Sequence, residues 1–257
     1  MWTVGDVEAV MEAWAPVNTA MPGDNVGLLS GRRGAAVKTV LTALDITPAV
    51  IDEAVSAGAG LIVVHHPMFR EPLMSVTDSA PVGELLLALA ENRVAAICMH
   101  TNLDAAAGGV NDALAHALGL DCLSEPLEPE TGIGRYGDLP EEMTAEQLAM
   151  LAKSRLGCGS VRFTDNGRPV KRLAICGGSG GSMLDCAFSA GCDALLAGEF
   201  RHNHFLEAAA MGVSLLECGH FATENVVVEV IAARLREKLP GLGVIVTSNQ
   251  KEPYSCL

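Results

Sequence analysis

Apolar positions along this chain follow two rhythms, short unbroken aliphatic runs and three-to-four spaced stretches, and their alternation predicts an α/β protein. Thr3 and Asp6 form an N-capping arrangement, with Val7, Val10, Met11 and Trp14 behind it at helical spacing and Pro16 as the stop. The next stretch, MPGDNVGLLSG, is punctuated by Pro22, Gly23, Gly27 and Gly31 and predicts a loop holding one short strand, with Asp24 and Asn25 as turn residues. From Lys38 onward a strand (TVLTAL), a helix capped by Thr47 with Pro48 at its first position, and a second strand (LIVV) make a β-α-β unit, right-handed by default. A helix (GELLLALAEN), a strand (VAAICM) and a helix over about 109–118 follow.

Sliding the chain against itself by 133 residues lays KTVLTALDITPAVIDEAVSAGAGLIVVHH over KRLAICGGSGGSMLDCAFSAGCDALLAGE without a gap. Identities fall at Lys38/Lys171, Asp52/Asp185, Ala54/Ala187, Ser56/Ser189, Ala57/Ala190 and Gly58/Gly191. Further on, VAAICMHTNLD lies over VSLLECGHFATE, matching Cys98 with Cys218 and His100-x-x-x-Asp104 with His220-x-x-x-Glu224. We therefore expect two related α/β halves, 1–122 and 123–257, with mixed, largely parallel sheets and a metal cleft between them. A turn-rich connector over about 121–172 opens the second half. Within it the turn-rich SEPLEPETGIGRYGDLP is followed by a helix with Thr144 and Gln147 as a capping box and an edge strand at Val161-Arg162-Phe163. The chain closes with a helix over about 225–238 and the strand GVIVT.

Composition narrows the picture. At 257 residues, 49% hydrophobic but only 4% aromatic, the core must be built from Ala, Val, Leu and Ile. No apolar run approaches the roughly 18 residues of a membrane span, and the acidic start without a basic region is unlike a signal peptide, so the expected location is cytoplasmic. A net charge of −14 argues against nucleic acid as a partner. An anionic substrate would need local positive charge, which bound metal ions supply. The eight cysteines form no C-x-x-C pair, and most read as small core residues without disulfides. The tail PYSCL is not a prenylation box.

Chemistry concentrates at strand ends. LIVV reads as a strand buried on both faces that ends in His65-His66-Pro67, and in open α/β sheets that edge is where ligands bind. Neighbouring side chains on a strand point to opposite faces, so one ion could hold both imidazoles only if the strand ends there; two ions with one imidazole each would also fit. Glu199 ends the matching strand, and His100 with Asp104 and His220 with Glu224 follow later ones. This nitrogen and oxygen set suits zinc first, with iron or manganese as alternatives, and its size suits two ions with a bridging carboxylate. Glu224 also opens the last helix, where the macrodipole favours a negative charge. His202 and His204 either carry protons or cap the next helix, and His116 belongs on a solvated face. CGGSGG is either a phosphate cradle or a tight turn, without P-loop or dinucleotide spacing. Cys98 and Cys218 share the face of their neighbouring histidines and are read as packing residues.

The segments LIVVHHPMF, HTNLDAAAGGVNDALA and GEFRHNHFLEAAAMGVSLLECGHFATE, with DNVGLL, ALDIT and GIGRYGDLPE, resemble the GTP cyclohydrolase 1 type 2 homologues, the NGG-interacting-factor-three-like dinuclear-metal family. The resemblance runs through nearly the whole chain. It implies two intertwined halves, a toroidal homohexamer, and two divalent ions held by His65, His66, Asp104, His220 and Glu224, with Glu224 bridging and His100 beside the metals. Gly23 stands where the family usually has tryptophan, and the central domain of longer relatives is missing. The expected function is metal-dependent hydrolysis of a small anionic substrate such as GTP, with Glu224 at the ions and His100, His202 or His204 moving protons. The alternative is a non-catalytic hexameric scaffold, metal carrier or interaction protein.

Overall fold

The computed structural model describes residues 1–120 and 122–256; Asp121, at the expected start of the connector, and Leu257 of the PYSCL tail lie outside the described residues. The chain divides into two compact units, Met1–Leu103 with Val228–Gln250, and Asp104–Val227 with Lys251–Leu257. Each is a mixed α/β structure around one mixed sheet.

In the first unit the strands Thr39–Ala43, Leu61–Val64 and Ala95–Cys98 run parallel side by side. The sequence-terminal strand Gly243–Val246 adds to Thr39–Ala43 in parallel, and Gly27–Ser30 adds antiparallel to Ala95–Cys98. Every residue of Leu61–Val64 and Ala95–Cys98 is buried, as their unbroken aliphatic runs require. The helices Pro48–Ser56 and Pro81–Glu91 both carry proline at their starts, where a missing N–H costs nothing. Apolar residues of these elements, among them Leu41, Val50, Ile62 and Leu89, form one cluster. The first helix, Val4–Trp14, has the Thr3/Asp6 capping box and buries Val4, Val7, Met11 and Trp14. Glu53 anchors the returning segment by accepting from the backbone N–H of Ser248 at 3.0 Å and from the hydroxyls of Thr247 and Ser248.

The second unit repeats the three-strand parallel core, with Val170–Ser179, Ala194–Glu199 and Ser214–Glu217 in that order. The short antiparallel strand Arg162–Phe163 borders Ser214–Glu217, as Gly27–Ser30 borders Ala95–Cys98 in the first unit. The other flank differs. The connector forms a hairpin of Glu125–Glu128 and Ile133–Met143, the latter antiparallel to Val170–Ser179. Its prolines hid these strands, yet both sit where strands tolerate them: Pro126 on the edge strand and Pro140 inside a register shift. Buried Arg135 of this hairpin pairs with both oxygens of Asp112 at 2.6 and 3.0 Å and donates to the carbonyls of Gly132 and Gly134. A buried guanidinium needs that many acceptors to offset the loss of its water. The helix Ala145–Leu156 has the Thr144/Gln147 capping box that the sequence predicts, and it ends on a left-handed Gly157.

Candidate metal centre

In the first unit the strand ends at Val64, so face alternation no longer separates His65 from His66. Their ring centroids are 5.0 Å apart, and His100 lies 5.3 Å from the first and 5.8 Å from the second. One ligand atom from each of the three falls within 4.8 Å of the others. Each imidazole is oriented through its Nδ1. That of His65 donates to the Met99 carbonyl at 2.7 Å, and that of His66 meets the Asp45 carboxylate at 2.7 Å. An Nδ1–H committed this way places the lone pair of a neutral ring on Nε2, the arrangement found behind metal-ligating histidines.

His100 is held differently. Its Nδ1 faces both oxygens of Asp24 at 2.8 Å, and Arg70 reaches its Nε2 at 3.5 Å. Burial, then the neighbouring His65, pulls the His100 pKa down to about 4 in spite of Asp24, so the ring is neutral at neutral pH. Asp24 also accepts from the backbone N–H and hydroxyl of Thr101. Burial pushes its carboxyl up, but the bonds from Thr101 and His100 outweigh that and hold it below the ordinary value.

In the second unit the short helix His220–Glu224 sets its two end residues one turn apart, with His220 Nε2 2.9 Å from Glu224 Oε2. His220 Nδ1 lies 3.2 Å from Glu199 at the end of its strand. Glu224 is only 5% exposed. A Cβ added at Gly178 would lie 2.1 Å from Glu224 Oε1. Gly178 has φ +61° at a register shift in its strand, so glycine is required there twice over. Carboxylate oxygens of Asp104 and Glu224 come within 4.8 Å of each other. Asn111 braces this region, donating to the Asp104 carbonyl and accepting from the backbone N–H of Gly177, both at 3.0 Å. Burial, followed by the charges of Asp104, Glu224 and Glu128, pushes the nearby Cys176 thiol far up. A buried carboxylate this close to a half-buried one favours a nearby cation.

CGGSGG is no phosphate cradle. The backbone N–H groups of Gly177, Gly178 and Gly180 already donate to Asn111 Oδ1, Thr223 Oγ1 and the Glu199 carbonyl. His204 Nδ1 accepts from the Arg201 backbone N–H at 3.1 Å and so caps the helix His202–Met211, while His202 at its start is exposed. His116 is exposed. The sequence alone did not single out Asp24, Asp45, Arg70 and Asn111. Asp24 sits in the DNVGLL motif, where a turn is the default reading. Asp45, Arg70 and Asn111 carry no local signal, since their roles depend on partners distant in sequence.

Imidazole and carboxylate donors with oriented Nδ1 atoms fit a divalent transition ion. Comparisons with known proteins identify the family. The family model Duf34/NIF3 (NGG1p interacting factor 3) matches residues 2–253. The chain is 34% identical over 258 residues to a GTP cyclohydrolase 1 type 2 homolog of Clostridium perfringens, with 98% of each chain covered. It is 36% identical over 244 residues to a homolog of the same description from Streptomyces coelicolor, covering 91% of this chain and 86% of that one. Among solved structures, a Staphylococcus aureus hypothetical protein matches with TM-score 0.91 and 27% identity, and a Bacillus cereus protein related to NIF3 matches in fold with TM-score 0.92 at 22% identity; each covers 99% of both chains. Among the described residues no helix is long and apolar enough to cross a membrane.

Proposed function

The chain belongs to the Duf34/NIF3 family, and from that premise we propose that it holds two divalent cations on His65, His66, Asp104, His220 and Glu224 and hydrolyses a small anionic substrate. The observation that carries this reading is the orientation of His65 and His66 by Met99 and Asp45, which is what a ligating histidine needs and a packing histidine does not. Zinc is the leading candidate, with iron and manganese next. Bound cations would supply positive charge for an anionic substrate and a water of lowered pKa.

The chain's own residues have separate tasks in this scheme. Glu224, which lies so near Gly178 that a Cβ there would clash with it, would help to hold both cations. His100, with a proton on Nδ1 facing Asp24, sits beside the ligands as a neutral ring that can accept or pass a proton at Nε2 once Arg70 releases it. His202, exposed at the helix start, is the proposed proton carrier, and His204 acts there only by giving up its capping bond. The printed name of the relatives makes GTP the first substrate to test.

Metal analysis with anomalous scattering should find two ions on these five side chains, and a nucleotide panel should show turnover lost in Glu224→Ala. Activity that persists in that variant assigns the turnover elsewhere. Two ions without turnover on any substrate favour the non-catalytic scaffold or carrier. The same preparation, weighed by light scattering, should give the mass of six chains; a monomer would refute the homohexamer.

A further inference from the structure

Three of the eight cysteines converge on a cavity of the second unit that the proposed metal chemistry does not use. It has a volume of about 260 Å³ and is lined by Cys158, Ser160, Cys218, Glu252, Tyr254 and Cys256 among others. Cys158 follows the left-handed Gly157 that ends the helix Ala145–Leu156, and Cys218 follows the strand Ser214–Glu217. Both are buried in one apolar cluster with Leu148, Leu196 and Leu216, and their thiols are hydrogen-bonded to each other. The terminal segment closes one wall, where the Ser160 hydroxyl donates to Cys256 Sγ at 3.2 Å.

A pair of inert packing thiols would face only apolar neighbours. Here Cys158, 8% exposed with Cys218 buried behind it, borders a cavity whose walls carry a hydroxyl, a phenol and a carboxylate, roomy enough for a small polar oxidant. We propose that Cys158 and Cys218 are a peroxide-oxidisable pair, with Cys158 as the attacking thiol, Cys218 as the resolving one, and the cavity as the oxidant's entry.

The Cys158 thiolate attacks one oxygen of hydrogen peroxide, the O–O bond breaks, and the departing hydroxide takes up a proton to become water. The product at Cys158 is a sulfenic acid. Cys218 then loses its proton, its sulfur attacks the Cys158 sulfur, and the second oxygen leaves as water. Two thiols and one peroxide become one disulfide and two waters. The electrostatics fit these roles. The Cys218 S–H bond pulls the Cys158 pKa down to about 7 against the effect of burial; its own backbone and Lys153 help, and Glu252 opposes. Because Cys218 stands two residues before His220, the disulfide would tie the segment carrying that histidine to the end of the helix Ala145–Leu156.

The test uses the full-length reduced protein with one equivalent of hydrogen peroxide, followed by alkylation and peptide mapping. The expected result is a cross-linked Cys158–Cys218 peptide, two mass units lighter than the two reduced peptides together and reversed by dithiothreitol. Iodoacetamide should label Cys158 with a midpoint near pH 7. Cys158→Ser should abolish the cross-link, while Cys256→Ser and Cys122→Ser should leave it. These three variants avoid the fully buried Cys218, whose replacement could unfold the chain. A Cys158–Cys256 cross-link overturns the pairing. A Cys158 that peroxide leaves reduced while exposed Cys122 is oxidised overturns the proposal altogether.

Discussion

Gly178→Ala should separate the geometry around Glu224 from ordinary backbone strain. At φ +61° any residue with a Cβ costs about 1–2 kcal/mol. The added methyl would also sit 2.1 Å from Glu224 Oε1 and 3.0 Å from its Cδ, against a normal carbon–oxygen approach of about 3.3 Å. The carboxylate must therefore move by about 1 Å, which is several times the ~0.2 Å tolerance of a metal–ligand bond. Gly191→Ala is the control, because that residue has φ +70° and a Cβ there would meet nothing within 4 Å. Both variants should lower the melting temperature of the metal-free protein by about 2–4 °C per kcal/mol, with Gly178→Ala lower than the control. Only Gly178→Ala should lose metal affinity, by about tenfold to a hundredfold, measured by competition with a chromophoric chelator. Wild-type affinity in Gly178→Ala, with a melting temperature equal to that of the control, would refute the reasoning, since Glu224 would then be neither pinned against this glycine nor a ligand.

Two further predictions concern the first unit. Asn102 is fully buried and donates to the Ala15 carbonyl at 2.7 Å, so Asn102→Ala strands that acceptor and should cost about 1–3 kcal/mol in urea denaturation; an unchanged midpoint would count against that bond. The Asp24 carboxyl, pushed up by burial but held below its ordinary value by its bonds to Thr101 and His100, contributes stability that is fully present above its unfolded pKa of about 3.9. That contribution is lost as the pH falls through its lower folded value. Asp24→Asn should flatten that part of the acid-unfolding profile, and identical profiles for the two proteins would contradict the assignment.

Sequence periodicity was a sound guide wherever one element decides its own fate. Both capping boxes and the Pro48-started helix depend on neighbours within a few residues, and the buried LIVV and AAIC strands are marked by their own unbroken aliphatic runs. The hairpin of Glu125–Glu128 and Ile133–Met143 was missed because Ile133–Met143 becomes a strand through pairing with Val170–Ser179, and nothing in its own alternation announces that. At the candidate site the histidines and acids were legible because strand-end position and a repeated His-x-x-x-acid pattern mark them. The residues that aim them were not. Asp24 reaches His100 across 76 positions of sequence and Asp45 reaches His66 across 21, which are separations that only the folded backbone closes.

The parallel pairing of Gly243–Val246 with Thr39–Ala43 bears on how the molecule is made. The ribosome delivers Thr39–Ala43 about 200 residues before its partner, which at roughly 5–20 residues per second is an interval of about 10–40 s. Throughout that time one flank of the nascent sheet shows bare amides and carbonyls, the kind of surface that recruits stray strands. Chains truncated ahead of Gly243 should therefore precipitate during expression, so the final strand acts as a seal on a sheet begun near the amino terminus.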